Sequence, residues 1–202
     1  MNIAGFAFAV LLIELTPGPN MAWLVALSLG HGRRAGLAAV AGVAMGLTVN
    51  AVLSSLGLSA LLTAYPELSR WIGFAGAAMM VWLAWNAWHD NGESSTGRLP
   101  SSEIGKHFAI GFLLNLLNVK AALFFLTVVP QFVSASESSW SDILVLGIVS
   151  VSIATLVHLV LVLSASNARS ALAMPGRTRN ISRALSVSML AVAGWFLWGA
   201  LT

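Results

Sequence analysis

The sequence predicts an all-α integral membrane protein: six transmembrane helices forming a 3+3 inverted repeat, with both termini extracytoplasmic. Three observations lead there. Of 202 residues, 58% are hydrophobic and only 8% charged, where a soluble domain carries about 25% charged residues; mean hydropathy is +0.87. The apolar residues fall into six runs long enough to span a bilayer, separated by polar breaks. The cations gather in alternate breaks, which is how cytoplasmic loops are marked. There is no cysteine, so a disulfide scaffold, thiol chemistry and thiolate-held zinc or iron–sulfur clusters are excluded. No run alternates apolar with polar residues, which argues against a β-barrel.

The first run, Asn2–Leu29, lacks the basic leader of a signal peptide and reads as an uncleaved helix. Halfway along stands Glu14-Leu15-Thr16-Pro17-Gly18-Pro19-Asn20. Two prolines remove two amide donors and clash with the preceding turn, so the helix is expected to break at Pro17-Gly18-Pro19. A single proline kink would be ordinary architecture. Pro-Gly-Pro flanked by Thr, Asn and Glu instead suggests a site, because bare backbone at membrane depth survives only beside protein or a watery cavity. Thr16 and Asn20 suit the cap of a helix restarting after the break. Its amino end would turn free N–H groups and a positive dipole toward a carboxylate.

HGRR at 31–34 is a basic turn. The second run, Gly36–Ala64, carries Gly42-x-x-x-Gly46, a close-packing motif, and Asn50, which either lines a cavity or bonds helices together. The third, Leu68–Trp88, holds Asn86 with the same two readings. The polar stretch from His89 to His107 reads as a loop, with two ordinary histidines, joining the halves 1–88 and 108–202 of one membrane domain.

The fourth run, Phe108–Pro130, contains Asn115-Leu116-Leu117-Asn118-Val119-Lys120. Lys120 lies twelve residues past Phe108 and ten short of Pro130, or ~18 and ~15 Å from the run's ends at helical rise, too deep to snorkel out. Glu14 has similar depth, and a lone charge there costs at least ~2.5–3.5 kcal/mol. The two either pair as structural glue, serve a transported solute or ion, or alternate between these roles. The fifth run, Ile143–Ala165, follows a serine-rich linker at 134–141 and holds His158, a packing histidine or a proton relay. The sixth is Leu185–Leu201, after the polar stretch Ser166–Arg183.

Eight of the ten Lys and Arg residues (Arg33, Arg34, Arg98, Lys106, Arg169, Arg177, Arg179 and Arg183) follow runs one, three and five, which puts those loops in the cytoplasm. Trp71, Trp140, Trp195 and Trp198 then fall near the outer boundary. Three spans per half orient the second half oppositely to the first, the geometry that sets binding sites at broken helices near the midplane. The candidate solute and ion pathway is therefore Glu14, Thr16, Pro17, Gly18, Pro19, Asn20, Asn50, Asn115, Asn118 and Lys120, with His158 as relay. A site with both signs of charge and a half-helix end fits a zwitterion.

The segment Thr16-Pro17-Gly18-Pro19-Asn20 resembles the signature of the LysE/RhtB family of amino-acid exporters. Gly111-Phe112, Asn118-Val119-Lys120-Ala121, Phe124-Phe125 and Pro130-Gln131-Phe132 are similar to that family's G-F-x-x-x-x-x-N-P-K-A…F-F…P-Q-F pattern. Val119 stands where the family usually has proline, so the second break is expected to be milder, and Glu14 lies outside the shared motif. The resemblance implies efflux of amino acids or small amphoteric derivatives across the bacterial inner membrane, driven by an ion gradient, with protons the expected ion. The expectation is a secondary exporter with no cofactor and no nucleic-acid partner, as a monomer or a homo-oligomer. No P-loop is present. A channel or cation-efflux protein is the alternative, though one deep acid and no cysteine make a poor soft-metal path. An intramembrane enzyme is a further one, without a G-x-S-x-G element.

Overall fold

Asn2 starts the first helix, α1 (Ile3–Leu15), by accepting the Gly5 N–H on its side-chain oxygen at 2.9 Å. In the computed structural model, the structure describes residues 2–16, 18–56, 64–89, 101–118, 121, 124–132 and 140–172, with scattered positions of a last helical segment between 180 and 198. Among the described residues every regular element is helical. Thr16 closes α1: its N–H bonds the Ile13 carbonyl and its hydroxyl donates to the Leu12 carbonyl at 3.0 Å. Gly18 is extended (φ −143°, ψ 174°) and α2 (Pro19–Ser55) begins directly after it. Proline at the first helical position loses only an amide that has no helical partner anyway. The break is thus where the two prolines predict it, with Pro17 itself outside the described residues.

The expected caps are not used. Thr16 caps the end of α1, and Asn20 lies within the first turn of α2 with its amide bonded elsewhere. The capping position falls to Gly18, which has no side chain to offer. Further along, α2 turns a corner at Gly32 (φ 81°), leaving a first arm, 19–31, and a second, 33–55. A positive φ is nearly free for glycine and strained for any other residue. The HGRR turn is therefore a one-residue corner.

α3 (Pro66–His89), α4 (Ser101–Leu116) and α5 (Trp140–Leu172) follow. Helix α4 begins seven residues before the apolar run at Phe108, so His107 is on a helix and buried, not in a loop. Glu103 in its first turn favours a helix start and stands 3.8 Å from Lys106. Likewise α5 extends beyond its apolar run at both ends, into stretches expected to be linker. Hydropathy marks where apolar surroundings end, which is not where a helix must end.

The fourth run is not one helix. It stops at Leu116, tightens where the Asn118 N–H bonds the Asn115 carbonyl (3.1 Å), and goes on through a π turn, Phe124–Val128, and a 3-10 turn, Val129–Phe132. α2 packs along α4 and α5. A Cβ on Gly42 would overlap the Phe108 carbonyl oxygen, one on Gly111 that of Ala39, and one on Gly46 would come 2.8 Å from that of Phe112. The second arm of α2 and α4 thus meet backbone to backbone, as the Gly42-x-x-x-Gly46 motif implied.

One core cluster joins Trp23, Leu24 and Leu27 of α2 to Met80 and Leu83 of α3; the other joins Phe6 and Val10 of α1 to Phe124, Phe125 and Leu146. Outward, α5 exposes Ile148, Leu156 and Val160 while burying Ser150 and His158. Asn20–Ser55 and Ser141–Ala168 are long and apolar enough to cross a bilayer. An apolar exterior over buried polar groups such as Ser150 and His158 suits a lipid surround.

Candidate functional site

Phe6, Val10 and Glu14 recur every four residues and share one face of α1. Phe6 packs on Phe124 (ring centroids 5.8 Å apart) and Phe132 (5.3 Å), which seats that face inward. Glu14 is consequently brought to α5, where its Oε2 lies 3.7 Å from Nε2 of His158; the two side chains are 20% and 3% exposed. On α5, Ser150, Ala154 and His158 again recur every four residues and line one pocket with Glu14. At 3.7 Å the carboxylate and imidazole are too far apart for a direct hydrogen bond, yet near enough to attract strongly once the ring is protonated.

The two chain breaks meet in this pocket. Gly18 and Asn20 come from the first, Asn118 and Ala121 from the second, with Asn115 just before it. Asn20 Nδ2 donates to Asn115 Oδ1 at 2.8 Å, a bond buried between segments 95 residues apart in sequence. The opposite ends of this amide pair, Asn20 Oδ1 and Asn115 Nδ2, are buried without a hydrogen-bond partner among the described residues. An unpaired buried donor and acceptor are costly and call for a partner such as water or solute. The pocket encloses about 30 Å³, roughly one water's share of liquid volume. It is narrow around its polar groups.

Of the predicted residues, the structure gathers Glu14, Gly18, Asn20, Asn115, Asn118 and His158 in this one pocket. Two do not line it. Thr16 is exposed at the end of α1. Asn50 lies behind the pocket, donating to the Asn115 backbone carbonyl at 3.1 Å and so bracing the end of α4. That carbonyl has lost its regular helical partner at the break; it accepts the Asn118 N–H and has a second lone pair for Asn50. Pro17 and Lys120 lie outside the described residues, as do the side-chain surroundings of Pro19. Asn86 bonds the Trp82 carbonyl of its own helix at 2.9 Å and faces a different cavity. Ser150 was missed by sequence reasoning; its place eight residues before His158 on a helix was the available signal.

A family model described as "LysE type translocator" matches residues 11–199. A protein of Vibrio cholerae called an uncharacterized membrane protein is 30% identical, over 75% of this chain and 75% of its own. The homoserine/homoserine lactone efflux protein of Salmonella typhimurium is 30% identical, over 69% of this chain and 68% of its own. The leucine efflux protein of an Enterobacter strain is 31% identical, over 69% and 67%. No solved structure matches.

Proposed function

The chain belongs to the LysE type translocator family, and from that premise we propose that it is a secondary exporter of amino acids or small amphoteric derivatives. The observation that carries this reading is the narrow pocket where two interrupted helices meet around an acid, an imidazole and a half-satisfied amide pair. Efflux relatives named for homoserine and leucine support the solute class.

In this reading six spans form an inverted repeat in the bacterial inner membrane, termini outside, and the pocket opens to the two sides in turn. Asn20 and Asn115 hold the polar end of the solute, and Lys120, deep in the fourth apolar run, takes its carboxylate. Glu14 and His158 exchange the coupling proton. Opening outward exposes the carboxylate to the more acidic side, where it takes up a proton, and opening inward releases that proton to the cytoplasm. Solute binds once that proton has left, so proton entry drives solute exit.

The test is growth of an overexpressing bacterium on inhibitory concentrations of single amino acids, followed by transport in proteoliposomes with and without a pH gradient. The wild type should confer resistance and show saturable transport that collapses with the gradient. Glu14→Gln should insert normally and lose both. Transport that does not saturate, or Glu14→Gln export at the wild-type rate with the same pH dependence, overturns the reading.

A further inference from the structure

A second cavity, of about 390 Å³, lies between the first arm of α2, α3 and α4. Ligand pockets commonly measure roughly 300–1,000 Å³, so this one has room for a small solute as it stands, whereas the narrow pocket must widen to take one. Its inner wall is apolar, with Trp23, Leu27 and Leu83 buried there. At its rim Glu103 and Lys106 stand side by side, carboxylate and ammonium 3.8 Å apart, each about half exposed.

The second observation is His107. Its side chain is 6% exposed and lines the cavity, with Glu103 Oε2 at 4.0 Å. Neither ring nitrogen has a hydrogen-bond partner among the described residues. A buried imidazole with both nitrogens unbonded is the kind of group that a ligand completes. His107 stands just ahead of the apolar run, and burial, with His31 and Lys106 beside it and Glu103 opposing, holds its pKa below the usual imidazole range. The ring is therefore neutral at pH 7 and can both donate and accept.

We propose that this cavity is a second solute site, which binds an amino-acid zwitterion through Lys106 and His107 at its carboxylate, Glu103 at its ammonium, and Trp82 with the apolar wall at its side chain. An amino acid carries charges of both signs one carbon apart, so it pairs head to tail with the adjacent Glu103 and Lys106. His31, in the same cavity, is eleven residues along the first arm from Asn20, about 16 Å at helical rise. A solute held here is one helix arm away from the narrow pocket, as a loading site for it. The proposal rests on the exporter reading for its purpose.

The experiment uses full-length protein in phosphatidylglycerol nanodiscs, whose headgroups carry no ammonium, with radiolabelled L-leucine and L-homoserine as probes. Equilibrium binding is read alongside transport in proteoliposomes of the same lipid. Lys106→Met and Glu103→Gln should each raise Kd and KM about ten-fold, the loss of one charged hydrogen bond, with maximal rate unchanged and Lys106→Arg close to wild type. L-Leucinamide and 4-methyl-2-oxopentanoate, each lacking one of the two charges, should compete at least about ten-fold more weakly than L-leucine. Unchanged Kd and KM in both variants, with export intact, remove this site and leave the exporter reading standing. Binding that depends on Lys106 and Glu103 without any export removes the exporter reading and leaves the site standing. A wild type that neither binds nor moves either probe overturns both.

Discussion

Gly42→Ala offers the sharpest test of how the helices are held. In an isolated helix the change is favourable by about 1 kcal/mol, the propensity difference between the two residues. Here the new Cβ would overlap the Phe108 carbonyl oxygen and stand 2.9 Å from both the Phe108 carbonyl carbon and the Phe112 nitrogen. These are backbone atoms of α4, so no side-chain rotation relieves them and α4 itself must move. Overpacking costs typically ~1–3 kcal/mol, and three backbone atoms at once put this substitution at the upper end. Subtracting the propensity gain leaves a loss of about 2 kcal/mol, or ~4–8 °C in Tm for a chain of this size. Gly105→Ala, on α4 with nothing within 4 Å of its Cβ, keeps the propensity gain and should raise Tm by ~2–4 °C. Gly36→Ala would meet Ser28 Oγ and Val162 Cγ1, each at 2.5 Å, which are side-chain rather than backbone atoms but on fully buried residues; it should fall between the two. Melting of detergent-solubilised protein, followed by size-exclusion chromatography after heating, ranks the three. A Gly42→Ala variant as stable as Gly105→Ala would refute backbone-to-backbone packing of α2 on α4.

Two further outcomes are expected. Gly32→Ala forces a side chain onto φ 81°, ψ −175°, a region essentially reserved for glycine, at a cost of about 1–3 kcal/mol, so its Tm should drop by ~2–12 °C; an unchanged melt would mean that the corner is not held in that conformation. The lowered pKa of His107, facing His31, Lys106 and Glu103, makes stability pH-dependent. Below the ordinary imidazole pKa the unfolded chain binds a proton that the folded chain resists, so stability is lost as pH falls through that window. Tm should therefore fall between pH 7.5 and 5, and fall less in His107→Gln; parallel curves for the two proteins would refute the shift.

Much of this was legible in the sequence because proline and buried polar residues act locally. Pro19 after a glycine suits the first position of a restarting helix, and the first break is where the prolines put it. Glu14, Asn20, Asn115, Asn118 and His158 were legible because polar groups in apolar runs need partners, and they found each other. What escaped depends on tertiary placement or on polarity being mistaken for irregularity. Helix α4 starts in a polar stretch, so His107 looked like a loop residue until the fold buried it against His31, ring centroids 5.4 Å apart. Thr16 and Asn20 had the chemistry of caps, but local hydrogen bonding took the first and Asn115 took the second. Nothing in the composition distinguishes Asn50 as a brace from Asn50 as a cavity wall; only the carbonyl opposite it decides.

Asn115 grips α2 twice, its side chain on Asn20 in one arm and its carbonyl on Asn50 in the other. The Gly32 corner separates those arms, so Asn115 is a tie-rod across an elbow. If the elbow flexes, one bond must stretch before the other. These two bonds tie both arms of α2 to the end of α4.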